Sequence, residues 1–187
     1  MPRAGLTAER ITAAAADLAD ARGLDNVTLS ALARDFGVKD ASLYSHVRGV
    51  RDLRTRIALL AAAELADVLG AAVAGRARRD ALVAFADTYR AYGLEHPGRY
   101  AALQLPLDPE EHADDPGFLR GVELTYGLLR GYGLEEPDAT DAARLLRATF
   151  HGYVHLEAGG GFGAPRPVRA SWERSLEALH RTLENWP

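Results

Sequence analysis

The stretch that decides the fold runs from Thr28 to Val47, T-L-S-A-L-A-R-D-F-G-V-K-D-A-S-L-Y-S-H-V. Its first half sets Leu29, Leu32, Ala33 and Phe36 at the i, i+3, i+4, i+7 spacing of one helix face. Gly37 follows at once, where a helix ends on a left-handed residue. Val38 can then fold back on that helix. Lys39 to Val47 predicts a second short helical segment, with Leu43 and Val47 four apart and facing inward. The other face carries Lys39, Ser42, Tyr44, Ser45 and His46. One apolar side and one donor-rich side around a glycine turn predict a helix-turn-helix. Such a unit offers donors to phosphates and base edges in a major groove.

Outward from this stretch the chain reads as all-α, since strand signals are nearly absent and helical periodicity recurs. Nine helices are expected. The first covers 7–22, with Thr7 as its cap, Ile11, Ala14, Ala15 and Leu18 inward, and Gly23 as its stop. The second and third are those above. A fourth, over 50–74, buries Leu53, Ile57, Leu60, Ala61, Leu65 and Leu69, and is long enough to bridge two domains. The others cover 78–95, 98–104, 116–131, 137–157 and 169–185. Asp115-Pro116 makes a helix start, with Asp as cap and Pro in the first turn. The proline-rich, acidic segment before it reads as an exposed loop. The expected division is a head over 1–49 and an all-α helical-bundle body over 50–187.

Of the 187 residues, 48% are hydrophobic and 26% charged, as in an ordinary globular protein. No apolar run reaches the roughly 18 residues of a membrane span. Met1-Pro2-Arg3 lacks the apolar stretch of a signal peptide, so a cytoplasmic protein with no membrane partner is expected. Zero cysteines exclude disulfides, iron–sulfur clusters and thiolate zinc sites. The net charge of −4 is unevenly spread: residues 1–56 carry a net +2 and the remainder −6. Lys39, Arg48, Arg51, Arg54 and Arg56 cluster against only Asp40 and Asp52. A local positive face on an acidic body suits a DNA reader whose other half does another job.

Residues 7–54 resemble the N-terminal DNA-binding domain of the TetR family of transcriptional regulators. That pattern is a first helix ending in Gly-Leu, a second opening with Thr, a turn, then S-L-Y-x-H-V or S-L-Y-x-H-F. Here it stands as Gly23-Leu24, Thr28, Gly37-Val38 and Ser42-Leu43-Tyr44-Ser45-His46-Val47. The resemblance implies that Tyr44 and His46 meet the DNA backbone. Tyr44 could instead pack its ring between helices, whereas His46, beside the basic cluster, is expected to be exposed. Thr28 can cap its helix, and the N–H groups there could also take a phosphate. Lys39 and Ser42 are candidates for base edges, with Lys39 donating to guanine O6 or N7. Arg48 and Arg51 would sit near phosphates. Many relatives carry Lys where this chain has Val50, and a basic residue at or near Ser30.

The resemblance further implies a small effector inside the body, whose binding shifts the fourth helix and parts the two heads of a dimer. Candidate pocket residues are Tyr89, Tyr92, Tyr100, Leu103, Phe118, Tyr126, Phe150 and His151. Aromatics with polar tips suit an apolar cavity with a few fixing hydrogen bonds, or plain core. Phe150-His151-Gly152 is similar to the motif of a TetR C-terminal subclass named for Trp-His-Gly, with Phe150 where Trp is expected. Two heads on a palindromic operator require a two-fold partner. The resemblance places that homodimer interface on the last two helices, with Val154, Leu156, Trp172, Leu176, Leu179 and Leu183 as its apolar face. The same residues could close the monomer's own core.

His151 and His155 are i, i+4, a spacing able to hold a metal. No second ligand cluster supports them, and His112 beside Glu111 lies in the expected loop. No metal or cofactor is expected. The resulting expectation is a homodimeric repressor, not an enzyme, released from double-stranded operator DNA by a small apolar or amphipathic molecule. Two alternatives remain. One is a dimeric DNA-binding protein with no ligand. The other is a helical-bundle enzyme using His151, His155 and Glu157, for which no nucleophile–base pair or phosphate loop is present.

Overall fold

Thr7 begins the first helix, its hydroxyl accepting the Arg10 amide at 3.2 Å. In the computed structural model, which describes residues 5–108, 110 and 113–187, that helix is α1, Ala8–Arg22. Gly23 ends it by donating its N–H to the Ala19 carbonyl at 2.8 Å. Seven further α-helices follow among the described residues: α2 Leu29–Phe36, α3 Val50–Val73, α4 Arg78–Glu95, α5 Pro97–Ala102, α6 Pro116–Arg130, α7 Asp138–Ala158 and α8 Val168–Glu184. Short 3₁₀ turns cover Leu24–Asn26 and Asp40–Ser42. No strand occurs among the described residues. The expected third helix is the one that differs. It is a 3₁₀ turn continued by hydrogen-bonded turns, with His46 and Val47 both donating to the Leu43 carbonyl. The segment is held by two buried anchors rather than by a long helical ladder.

The helices fall into two compact units. The first takes the described residues up to Glu64 and those of His96–Phe118; the second takes Leu65–Glu95 and Leu119–Pro187. This grouping differs from a division at residue 49, because the first half of α3 and all of α5 pack with the head. In the first unit the core is built from Ile11, Leu32, Leu43, Leu53 and Ile57 around many alanines. Small side chains let backbones approach. Gly98 on α5 sits against α1 so closely that a methyl there would strike the Ala19 carbonyl and the Asp20 amide. The Asp20 carboxylate caps α5, accepting the Gly98 and Arg99 amides, each at 2.9 Å. Arg99, 9% exposed, pairs with Asp17 at 2.8 Å, with Asp20, and with Glu64 at 3.1 Å. Burial works to lower the pKa of its guanidinium, but the three carboxylates outweigh it and raise the value.

The second unit packs larger groups. Leu82, Phe85, Leu129, Leu146, Phe150, Trp172, Leu176 and Leu183 form its core. Trp172 donates its indole N–H to Asp87 at 2.6 Å and meets Phe150 and Tyr153 edge-on at centroid distances of 5.6 and 4.9 Å. Arg90 lies over the Trp172 ring at 5.8 Å and pairs with Glu157.

Candidate nucleic-acid interface

Thr28 has extended backbone angles, and its hydroxyl accepts the Ala31 amide at 3.1 Å. Such a cap is worth about 1 kcal/mol to α2. Gly37 closes the helix at φ 66°, the left-handed region that glycine enters without a Cβ penalty. The Gly37 amide donates to Arg34 and the Val38 amide to Ala33, at 3.1 and 2.9 Å, which turns the chain sharply. Leu43 is 0% exposed and Val47 2%, while Val38 is half-buried in the same core. Burying each anchor stabilises the segment by about 1.5–3 kcal/mol.

With those anchors down, the opposite side is open. Thr28, Lys39, Ser42, Tyr44, Ser45, Arg48 and Arg51 are all exposed. Tyr44 is 60% exposed, so its ring does not pack between helices. His46 is half-buried rather than exposed. Among the described residues, Lys39, Arg48 and Arg51 have no ion-pair partner. The other two members of the basic cluster are engaged. Arg54 reaches the Leu24 carbonyl and Asp25, and Arg56 pairs with Asp52 at 3.1 Å.

Two supporting contacts escaped the sequence reading. The Ser30 hydroxyl donates to Asp40 at 2.5 Å, tying α2 to the 3₁₀ turn. The Ser30 side chain is therefore used internally. Asp52 accepts the Arg48 amide at 2.9 Å, fixing the entry to α3. Burial works to raise the Asp52 carboxyl, but the Arg48 amide and the Arg56 guanidinium prevail and hold it below the usual carboxylate range. An acid three residues after Gly49 was a readable signal for this contact. The Ser30–Asp40 pair, ten residues apart, had none.

The body residues separate. Tyr100, Leu103 and Phe118 belong to the first unit, and Tyr89, Tyr92, Tyr126, Phe150 and His151 to the second. Phe150 is 1% exposed and ringed by Phe85, Tyr89 and Trp172, which makes it a core residue. Tyr126 shares a hydrogen bond with Thr140 at 2.8 Å. Tyr92 and Tyr100 are buried, and Leu103 and Phe118 half-buried. His151 is half-buried and stacks on the exposed His155 at 5.9 Å. Burial first, then His155 and Arg147, lower its pKa. Among the described residues no three His, Cys, Asp or Glu come together as a metal site. Glu111 and His112 lie outside the described residues.

The expected dimer face needs correction. Val154, Trp172, Leu176, Leu179 and Leu183 are 0–7% exposed within one chain, because they fill the core of the second unit. They are not available to a partner. Only Leu156, 43% exposed, remains on the surface.

Comparison with known proteins adds an independent line. Residues 11–53 match the family profile described as bacterial regulatory proteins, tetR family. Residues 82–179 match one described as tetracyclin repressor-like, C-terminal domain. The chain is 38% identical over 161 residues to an HTH-type transcriptional regulator of Mycobacterium tuberculosis, Rv0681, covering 84% of this chain and 72% of that one. It is similar in structure to a Rhodococcus sp. RHA1 protein of unknown function, with a TM-score of 0.80, 26% identity, and 98% and 99% of the two chains covered. Its fold also matches Streptomyces coelicolor ActR in complex with actinorhodin, with a TM-score of 0.71, 20% identity, and 96% and 97% covered.

Proposed function

Because the chain belongs to the TetR family of transcriptional regulators, we propose that it is a homodimeric repressor released from a palindromic operator by a small apolar or amphipathic molecule. The observation that carries the DNA-binding part is the face around Lys39, Arg48 and Arg51. Three unpaired cations stand beside the exposed Thr28, Ser42 and Tyr44, on a segment locked by Leu43 and Val47. Lys39 and Ser42 would read base edges; Thr28, Tyr44, His46, Arg48 and Arg51 would hold phosphates. The effector reading draws on the neighbour solved with actinorhodin and on the aromatic body. Tyr89, Tyr126 and His151 are its best remaining candidates, since each is only partly buried and all belong to the aromatic second unit.

The dimer surface moves to the outer side of α7. Leu145 and Leu156 are 36% and 43% exposed, Ala148 is exposed, and the space over Gly152 is open. Their spacing of 3, 4 and 4 residues makes one stripe, which a second copy would cover about a two-fold axis.

The chain is a regulator and not an enzyme. Of the trio an enzyme would need, Glu157 is occupied by Arg90 and His151 and His155 stack on each other. Among the described residues no helix is long and apolar enough to cross a membrane, and a regulator of this kind would act in the cytoplasm. The deciding experiment is a fluorescence-anisotropy titration against DNA flanking the protein's own gene, at two salt concentrations. Tight binding to one fragment, with log affinity falling by about 0.9 per phosphate for each tenfold rise in salt, is expected. Equal, weak binding to every fragment would overturn the reading.

A further inference from the structure

The first unit holds a groove that shares only Arg51 with the DNA-binding reading. It is a cavity of about 280 Å³, lined by Val50, Arg51, Arg54 and Thr55 from the start of α3 and by Leu105, Pro106 and Leu107 from the segment after α5. The two walls differ in chemistry. On one side Leu105 and Leu107 are anchored against the head core, with Pro106 exposed between them. On the other side stand two guanidinium groups. Arg51 is exposed and forms no ion pair among the described residues. Arg54 has a side chain 30% exposed and donates through Nη2 alone, to the Leu24 carbonyl at 3.4 Å and to Asp25 at 3.2 Å. Its Nε–H is buried and meets no acceptor among the described residues. With Nε shielded from solvent and Nη2 engaged, Nη1 is the Arg54 donor left for an outside carboxylate, alongside the exposed Arg51 guanidinium.

We infer that this groove binds an amphipathic monocarboxylate, with the carboxylate between Arg51 and Arg54 and a short apolar chain along Val50, Leu105, Pro106 and Leu107. Each half of that ligand answers one wall. A bare phosphate would use the cations and leave the apolar wall in water. A neutral apolar molecule would leave Arg51 without an anion, since Arg54 already meets Asp25. The volume of about 280 Å³ sets the size, since it falls just below the roughly 300–1,000 Å³ typical of ligand pockets. A short-chain acid fits that space better than a drug-sized molecule. The site is distinct from the proposed effector residues Tyr89, Tyr126 and His151, which belong to the second unit. Arg51 stands in the candidate DNA face as well, so an occupied groove would draw it from a phosphate. That consequence, unlike binding itself, rests on the DNA-binding reading.

The test is an amide chemical-shift titration of the ¹⁵N-labelled full chain with sodium octanoate, with 1-octanol and sodium acetate as the tail and the head alone. Saturable octanoate shifts centred on the amides of Val50, Arg51, Leu105 and Leu107 are expected. Octanol and acetate should bind at least about tenfold more weakly. Arg51→Gln and Arg54→Gln should each weaken octanoate by about tenfold, the loss expected for one charge-assisted hydrogen bond. Arg51 is on the surface, so its variant keeps the test valid if Arg54→Gln disturbs the fold. Shifts that map to the second unit, octanol binding as tight as octanoate, unchanged binding by Arg51→Gln, or no saturable binding would each overturn the inference. Octanoate binding that leaves DNA affinity unchanged would support the groove and break only its link to DNA.

Discussion

The packed body of the second unit and the turn of the first place cations differently. In the second, several arginines pair within the unit: Arg78 with Glu184, Arg79 with Glu177, Arg90 with Glu157, Arg120 with Asp67 and Arg169 with Asp87. Around the turn of the first, Lys39, Arg48 and Arg51 are held on short, well-anchored backbone and left unpaired. Exposed ion pairs contribute only about 0–1 kcal/mol each, so stability does not demand that these three be matched. Unpaired cations on a rigid segment are available to an outside anion. The cores differ too. The first unit is packed with alanines and close backbones, and the second with leucines and aromatic rings.

Removing the central ring tests the second core most severely. Trp172→Ala is expected to cost about 3–5 kcal/mol, the range for truncating a large buried aromatic. The loss should appear in urea denaturation followed by circular dichroism. A small loss together with dissociation of the dimer would return Trp172 to the interface. In the first unit the corresponding test adds an atom. Gly98→Ala should cost about 1–3 kcal/mol or more, since the methyl meets the α1 backbone and not a flexible side chain. A neutral outcome in thermal melts would mean that α5 is free to shift on α1.

The fold was legible because its signals are local. Thr7, Thr28, Gly23, Gly37 and Asp115 each cap or stop a helix as their residue type predicts, and Asp115 accepts the Gly117 and Phe118 amides at 2.9 and 3.0 Å. The outward side of the turn was legible for the same reason, since Leu43 and Val47 fix by spacing alone which side turns outward. Periodicity says that α7 and α8 have an apolar face, but not whether that face meets this chain or a second copy. Trp172, Leu176, Leu179 and Leu183 are open to either reading on spacing alone, and their burial places them in this chain's core. The short 3₁₀ turn at Asp40–Ser42 also looked like a longer helix, because i, i+4 spacing is satisfied by either. Contacts far apart in sequence, such as Arg99 with Asp17, Asp20 and Glu64, leave no pattern to read.

Variants in the unpaired face sharpen the contrast of charge. Lys39→Ala should reduce discrimination between the operator and a single-base variant by about 1–3 kcal/mol if Lys39 reads a base edge. Tyr44→Phe should weaken binding to all sequences by about 0.5–3 kcal/mol, the span from an ordinary hydrogen bond to one with a charged group, while the head stays folded. Arg51→Ala should lower the salt slope of binding by about 1 with little change in sequence preference. Salt slopes identical to the wild type would place Arg51 off the DNA. Charge-reversing Arg169 or Arg79 should leave these slopes unchanged, since both are paired within the second unit.

The smallest effect concerns His151, a group whose charged form the second unit disfavours. Burial first, then His155 and Arg147, lower its pKa from 6.5. The unfolded chain therefore binds the proton more tightly than the folded one. Stability contributed by the neutral ring is complete above that value and is lost as pH falls below it. Denaturation midpoints should fall between about pH 7 and pH 5.5, a window still above the ordinary carboxylate values. His151→Gln removes the titration and should flatten this part of the profile, while His155→Gln should shift it only slightly, since His155 is the second of three causes. An unchanged slope in His151→Gln would show that the ring takes up its proton in the folded chain, and that α7 tolerates an added charge as readily as the face around Lys39 does.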